Sequence, residues 1–395
     1  MNLQNIQNAI KEENLDGWLL CDFRGRDTIS NKIAGISQNH LATRRWYYFI
    51  PASGEPKKLV NMIEPHTLDH LPGEKIQYMP WKELPDRLKD IIGNHKNIAV
   101  QYWKNNNNPY ISIIDAGTYE LLQSLGYNLH SSGNLVAKIE AHLNEEDKQT
   151  HIEAGKRVDK IKWNAFKYVG DAIKSGNLVS EFDVYNLMKK QFAETGLFAD
   201  HGPIVAINEH AADPHFEPDA NNCQLIKEGD LILFDIFAKM NTEAAIWYDI
   251  TWMGYAGGEV PERIKYLFDL NVRARDMGIE TVKEFFSQGK PLSGAYVDDQ
   301  VRNVINAEGL GQYFIHRTGH NITTALHGNG AHIDNFETND ERFIIKGSCF
   351  SIEPGIYIPE EKIGFRSEVD VWVSEDGSVD ILGEVQHKLV NVLDL

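Results

Sequence analysis

The sequence predicts an α+β protein in two parts: a smaller α/β domain over residues 1–140 and a larger domain of antiparallel sheet flanked by helix pairs over 145–395. Three observations carry this expectation. Strand-like and helical patterns alternate through the first part, as in a buried sheet with helices packed on it. In the second part the long helical patterns come in pairs and the strand-like runs come in hairpins, unlike a doubly wound fold. Finally, 395 residues exceed what one hydrophobic core usually supports, since chains divide beyond roughly 250–300 residues.

The elements follow in order. Leu3, Ile6 and Ile10 have helical spacing over 3–14, and LDGWLLCD reads as the first strand. WYYFIPA, KKLVNMI and KNIAVQY read as further strands, with helices in LPDRLKDIIG and AGTYELLQSLG. NNNNPY at 105–110 is a loop, because Asn and Pro favour turns. His40, His66, His70 and His95 are scattered and read as surface or structural residues. Asn144, followed by acids in a first turn, caps a long helix that ends at Gly176. Ser180 and Asp183 form a capping box for the next helix. Two more helices are expected over 261–288 and 294–307, with Pro261 in a first turn and Gly289 just past an end. DLILFDIFAK, AAIWYDITWMGYA, CFSIEPGIYI and RSEVDVWVS read as strands.

Composition narrows the function classes. With 39 basic and 57 acidic residues the net charge is −18, which argues against nucleic acid or anionic membrane as a partner. Cys21, Cys223 and Cys349 are sparse and odd in number, as expected of reduced thiols. The N-terminal residues carry acids and form no hydrophobic signal core, and no apolar run approaches the roughly 18 residues of a membrane helix. A cytoplasmic location is expected. GxGxxG after a strand, P-loop, GxSxG and HExxH patterns are all missing.

The chemistry-bearing residues lie in the second part: Asp235, Asp249, His320, Glu353 and Glu368. Each carboxylate sits in an apolar run, where burial is expensive unless it is paired or holds a cation. Asp235 and Asp249, on neighbouring strands of one hairpin, can share a face. Either alone could be a hydrogen-bonded structural aspartate; together they favour a metal site. His316, His320 and His327 fall in FIHRTGHNITTALHG, where Gly and Thr point to a turn or strand over a zinc-chelating helix. Arg366, two residues before Glu368, is either an ion-pair partner or an anchor for a substrate carboxylate. Converging, the carboxylates and one imidazole could hold two divalent cations about 3.5–4 Å apart, an arrangement suited to hydrolysis.

FDIFAK with YDIT, HRTGH, SIEPGIYIP and FRSEVDV, in that order, resemble the signatures of the pita-bread metallopeptidases. The branch they resemble most is that of the Xaa-Pro peptidases, aminopeptidase P and proline dipeptidase. Residues 1–140 resemble that branch's creatinase-type N-terminal domain. The resemblance implies that Asp235 and Asp249 ligate one metal, with Asp249 bridging to a second. It implies His320 and Glu353 as further ligands, Glu368 as a second bridge, and Glu353 also as general base. His215, in ADPHFEP, is similar to a substrate-binding histidine. His327 is similar to the one that steadies the tetrahedral intermediate, and His316 to one lining the proline side. Arg366 and Tyr357 match positions near the metals. A homodimer and a peptide substrate with proline at the second position are also implied.

Two departures stand out. Where the family often has Gly-His-Gly, this chain has Gly319-His320-Asn321, with Thr323 beyond, bulk expected to reshape the pocket beside the histidine. The Asp235–Asp249 spacing is longer than the common pattern, which predicts a longer hairpin tip.

Oxygen donors with one imidazole suit Mn²⁺, with Co²⁺, Fe²⁺ or Zn²⁺ as alternatives. The expected activity is release of the residue preceding proline, an Xaa-Pro aminopeptidase. The rival readings are a proline dipeptidase, a same-fold metal enzyme on a small non-peptide substrate, and a non-catalytic binding module. Retention of the whole ligand set speaks against creatinase-like and non-catalytic relatives.

Overall fold

The computed structural model describes residues 2–37 and 42–395, so His40 lies outside the described residues. Contacts divide the chain into two compact units, Met1–Glu140 and Ala141–Leu395.

The first unit runs α1 (Leu3–Glu12), β1 (Gly17–Asp22), α2 (Thr28–Ala34), β2 (Trp46–Pro51), β3 (Lys57–Asn61), β4 (Glu74–Tyr78), α3 (Leu84–Ile92), β5 (Asn97–Val100), α4 (Ala116–Ser124), β6 (Asn128–Ser131) and α5 (Gly133–Glu140). Its sheet has the order β4-β3-β2-β1-β5-β6, with β2 antiparallel to both neighbours. Alternation along the strands divides the apolar side chains between two faces. Trp18, Leu20, Trp46, Tyr48 and Ile50 enter one core, and Leu19, Tyr47, Phe49 and Leu59 enter the other. Both faces are therefore covered, which is why these strands read as continuous apolar runs. The sequence reading missed β4, an edge strand that is mostly polar and exposed. His66 pairs with Asp69, and the Nε2–H of His70 donates to the Ala34 carbonyl.

The second unit opens with α6 (Glu145–Lys174) and α7 (Glu181–Thr195), each started by a capping box, Asn144/Asp147 and Ser180/Asp183. Then come β7 (Leu197–Phe198), β8 (Ile204–Ile207), β9 (Leu231–Met240), β10 (Tyr248–Tyr255), α8 (Glu262–Ser287), α9 (Gly294–Ala307), β11 (Asn321–Ile322), β12 (Ser348–Ile352), β13 (Gly355–Ile358), β14 (Ile363–Arg366), β15 (Val369–Val373), β16 (Val379–Leu382) and β17 (Val390–Asn391). One sheet has the order β17-β10-β9-β7 with β8 also on β9, a second is β11-β12-β15-β16, and β13 pairs with β14.

Helix pairs cover these sheets. Ala154, Val158, Ile161, Ala165, Phe166 and Val169 of α6 pack on Phe234, Ile236 and Ile250, while α8 and α9 pack on Phe350, Ile352 and Val371. The close seat of α6 needs Gly155 and Gly170: a Cβ would fall 2.7 Å from the Tyr248 ring at the first and 1.9 Å from the Val392 carbonyl oxygen at the second. The connection between β9 and β10, residues 241–247, is the long tip anticipated from the spacing. Lys239 pins it by donating to the Glu243 and Thr324 carbonyls.

One expectation is corrected. Glu353 and Glu368 are not inside strands: each sits at a break, between β12 and β13 and between β14 and β15. Pro354 has no N–H to continue the ladder, and the chain changes sheets there.

Candidate metal centre

The β9–β10 register opposes Asp235 to Thr251 and Phe237 to Asp249. Asp235 and Asp249 are thus diagonal neighbours on one face, close enough for their carboxylates to converge. Both are buried. In the other half of the centre, Ile352 pairs with Val369 and Gly355 with Arg366. The two chain breaks therefore face each other, and Glu353 and Glu368 emerge at the same joint.

The histidine segment closes the site. His320 is anchored through its backbone N–H to Ser351 Oγ at 3.0 Å, and the Ser351 hydroxyl donates to Glu353 Oε1 at 3.0 Å. Its Nε2 lies 3.3 Å from Asp249 Oδ2 and 3.5 Å from Glu353 Oε1. Asp249, His320 and Glu368 offer ligand atoms within 4.8 Å of one another. Thr251 donates to Glu368 Oε2 at 2.7 Å and accepts from Arg366 Nε at 2.9 Å.

Arg366 is an ion-pair partner. Its Nη2 contacts Asp235 Oδ2 at 2.5 Å and its Nη1 donates to the Tyr357 hydroxyl at 3.0 Å. With the guanidinium buried and engaged on each side, little of it is left for a substrate carboxylate. Tyr357 also meets His316 Nε2 at 2.8 Å, while His316 Nδ1 meets the Arg317 carbonyl at 2.7 Å. That carbonyl fixes the tautomer: Nδ1 carries the proton, so Nε2 accepts from Tyr357.

The five candidate ligands, His316 and Arg366 line a cavity of about 220 Å³ together with His215, His327, His201, Glu217 and Glu337. The rings of His320 and His327 stand edge-on, 4.3 Å apart. His215 and the outer edge of His327 are open to solvent.

The electrostatics follow from burial. It pushes Asp249 and Glu368 well above the usual carboxylate range, and neighbouring acids push further. Asp235 is also raised by burial, against the opposing charge of Arg366. Burial lifts Glu353 to about 7, again against Arg366. His320 is held well below the imidazole range by burial and by His327, and His316 is lowered to about 3 by burial and Arg366. Neutral imidazoles are available as ligands, whereas so many neighbouring buried acids ionise together only beside added positive charge.

A sharper test is hydrogen bonding. Among the described residues, Asp235 Oδ1, Asp249 Oδ1 and Glu368 Oε1 are buried without a partner. Such orphaned oxygens are costly in a protein interior. Hard oxygen donors beside a neutral imidazole fit divalent cations of the Mn²⁺, Fe²⁺ or Co²⁺ kind.

Asn321 corrects a second expectation. Neither it nor Thr323 lines the cavity. The Asn321 side chain is buried and turned to the loop that follows: Oδ1 accepts from Gly330 N–H at 2.8 Å and Nδ2 donates to the Cys349 carbonyl at 3.0 Å. The sequence reading also passed over Thr251, Ser351 and Asp370. Thr251 stands two residues from Asp249 on the same strand, and period-two spacing was the signal that could have found it.

The profile of metallopeptidase family M24 matches residues 153–375. An uncharacterized peptidase of Schizosaccharomyces pombe is 30% identical over 390 residues, covering 94% of this chain and 78% of that protein. An Xaa-Pro dipeptidase of Lactobacillus delbrueckii subsp. lactis is 23% identical over 371 residues, covering 91% and 90%. Among solved structures, dipeptidase PepE from Mycobacterium ulcerans has the same fold, with a TM-score of 0.66 at 20% identity and coverage of 99% and 96%. The pita-bread architecture expected from the motifs is thereby shown, and the chain belongs to metallopeptidase family M24 as a metal-dependent peptidase.

Proposed function

We propose that this peptidase uses two divalent cations to hydrolyse the bond between an N-terminal residue and a following proline. The observation that carries the reading is the set of buried, unpartnered oxygens on Asp235, Asp249 and Glu368 beside the His320 imidazole. Asp235, Asp249, His320, Glu353 and Glu368 would hold the ions. When bound, the cations would supply Lewis acidity toward the scissile carbonyl and toward water. Mn²⁺ is the ion we favour, with Co²⁺, Fe²⁺ or Zn²⁺ as alternatives.

The chain's own residues do the rest. Glu353 faces the cavity with one oxygen held by Ser351, placed to take a proton from water and return it to the leaving nitrogen. His327, at the open side, donates a hydrogen bond to the developing oxyanion. His316, fixed between Tyr357 and the Arg317 carbonyl, walls the side where the proline ring sits. His215 stands across the cavity as a substrate contact. The bond to proline has no N–H to recognise, so selectivity rests on ring shape and on these walls.

Substrate length divides two readings. An Xaa-Pro aminopeptidase accepts longer peptides, whereas a proline dipeptidase takes Xaa-Pro alone. The similarity to an Xaa-Pro dipeptidase favours the second. We further propose that residues 1–140 are a creatinase-type N-terminal domain, that 145–395 form the catalytic domain and that the protein is a homodimer. A cytoplasmic location fits the three free cysteines and the finding that no described helix is long and apolar enough to cross a membrane.

The test is hydrolysis of Xaa-Pro, Xaa-Pro-Yaa and Xaa-Ala peptides by metal-stripped protein with Mn²⁺ restored. Cleavage before proline is expected only with metal. Inactivity on every proline peptide would sink the specificity, and the dipeptide-to-tripeptide ratio decides between the readings of length.

A further inference from the structure

The strand that carries Asp249 has an unusual outer edge. On that side β17 pairs with β10 only at Gly254 and Tyr255. Along the rest, side chains and loop amides stand in for a strand. Trp247 N–H donates to the Thr323 carbonyl at 3.1 Å, Asp249 N–H to Asp370 Oδ2 at 2.8 Å, and Met253 N–H to Gln386 Oε1 at 2.9 Å. Glu368 N–H donates to the Thr251 carbonyl at 3.3 Å. Satisfying these groups is obligatory at a buried edge. Using a carboxylate for one of them is not, because an asparagine oxygen accepts the same bond.

Asp370 is moreover a fully buried acid bonded to the backbone of a candidate ligand, with Oδ1 unpartnered among the described residues. What faces it is His151 of α6. The Nδ1–H of His151 donates to the Trp247 carbonyl at 2.6 Å, and its Nε2 lies 3.4 Å from Asp370 Oδ2. Neither side chain has any exposure. The Tyr248 and Trp372 rings pack around the imidazole. The residues on either side of Tyr248 are thus gripped from one direction, Trp247 by His151 and Asp249 by Asp370, and the two gripping groups face each other.

We propose that Asp370 and His151 are positioning residues of the metal centre, holding the backbone of Asp249 so that its carboxylate is presented to the metal site. The proposal rests on the reading that Asp249 is a metal ligand. Outer groups that orient ligands commonly change metal affinity or activity by about 10–100-fold when removed. A purely structural clamp would instead change stability and leave affinity per folded molecule alone.

The test titrates Mn²⁺ calorimetrically into metal-stripped parent, Asp370→Ala, Asp370→Asn and His151→Asn, with kcat and KM measured on an Xaa-Pro substrate. Asp370→Ala is expected to weaken Mn²⁺ binding toward the upper end of that range and to lower kcat with KM nearly unchanged. Asp370→Asn, which keeps an oxygen for the Asp249 amide, should recover part of the loss, to about tenfold below parent. His151→Asn keeps a donor for the Trp247 carbonyl but leaves nothing against Asp370, and should fall between parent and Asp370→Ala. Should Asp370→Ala fail to fold, the two asparagine variants decide. Affinities within about twofold of parent in both, with unchanged kcat, overturn the proposal. A parent that binds no Mn²⁺ overturns the underlying metal reading and this inference with it, and the parent titration alone tells that case apart.

Discussion

Two groups of buried acids lie in the second unit, and they differ in one respect. Asp298, Asp334 and Asp340 are fully buried and fully bonded. Asp298 accepts from the Thr318 amide and hydroxyl, the Asn335 amide and Arg302 Nε. Asp334 accepts from the amides of Phe336, Glu337 and Thr338 and from the Thr338 hydroxyl. Asp340 accepts from the His332 and Arg342 amides and the Arg342 guanidinium. Asp235, Asp249 and Glu368 each keep a buried oxygen with no such partner. Acids of the first kind hold loops in place; acids of the second kind are the ones that would hold cations on the proposed reading. Asp370, whose other oxygen accepts from the Asp249 amide, shares the orphaned oxygen, so incomplete bonding marks the neighbourhood of the proposed site where burial alone does not.

The largest effects should come from breaking one member of each group. On the proposed reading Asp249→Asn removes a metal ligand, and forfeiting about 4 kcal/mol of metal-derived stabilisation should lower kcat/KM by about 10³-fold. In metal-free protein burial and the neighbouring acids already favour the neutral carboxyl at Asp249, so exchanging it for an amide leaves stability within about 1 kcal/mol of the parent. Asp340→Ala should do the reverse. It strands the buried Arg342 guanidinium and lowers stability by roughly 3–5 kcal/mol, with kcat/KM per folded molecule largely kept. Urea unfolding in chelator, set beside Mn²⁺-restored kinetics, reads both. Equal destabilisation by the two variants would erase the distinction.

That distinction was only half legible in the sequence. Carboxylates in apolar runs marked Asp235 and Asp249 directly, because a strand pattern predicts which face each occupies. Glu353 and Glu368 were found for the right chemistry but with the wrong geometry. Pro354 was in plain view as a ladder breaker, yet only the pairing of β12 with β15 and β13 with β14 brings the two breaks together. Arg366 could not be assigned by pattern at all, since its partners Asp235, Thr251 and Tyr357 come from three other strands. His151 carried no local signal: its role depends on α6 lying across β10, a contact made possible by a glycine four residues on.

Acidity sharpens the metal-centre side of the contrast next, because His151 and Glu353 respond with opposite sign. His151 is lowered to about 4 by burial, so the unfolded chain binds its proton more readily. Its contribution is complete above the unfolded value of about 6.5 and is lost as pH falls from there to about 4. Glu353 is raised to about 7 by burial, so in metal-free protein its contribution is present at low pH and lost as pH rises through about 4.5–7. Between pH 7 and pH 5 the metal-free parent should therefore lose roughly 2 kcal/mol relative to His151→Asn and gain relative to Glu353→Gln. Urea midpoints at the two pH values measure both differences. A His151→Asn variant whose stability falls in parallel with the parent would show that His151 does not titrate as a buried neutral ring.

The smallest effect belongs to the residue that departs most visibly from the family pattern. Asn321 is buried, and its two bonds tie β11 to the following loop and to β12. Gly328 and Gly330 crowd it so closely that a Cβ on either would fall 2.3 Å from Asn321 Oδ1 or 2.6 Å from its Cγ. The asparagine and the glycines are thus one packing solution, in which the asparagine belongs with the fully bonded group. Asn321→Gly strands the Gly330 amide and the Cys349 carbonyl, and stability should fall by about 1–3 kcal/mol. Because the side chain does not line the cavity, kcat/KM on an Xaa-Pro substrate should change by less than tenfold. A hundredfold loss at unchanged stability would mean that Asn321 acts on the substrate through His320, and would move it from the structural acids' side of the comparison to that of the metal centre.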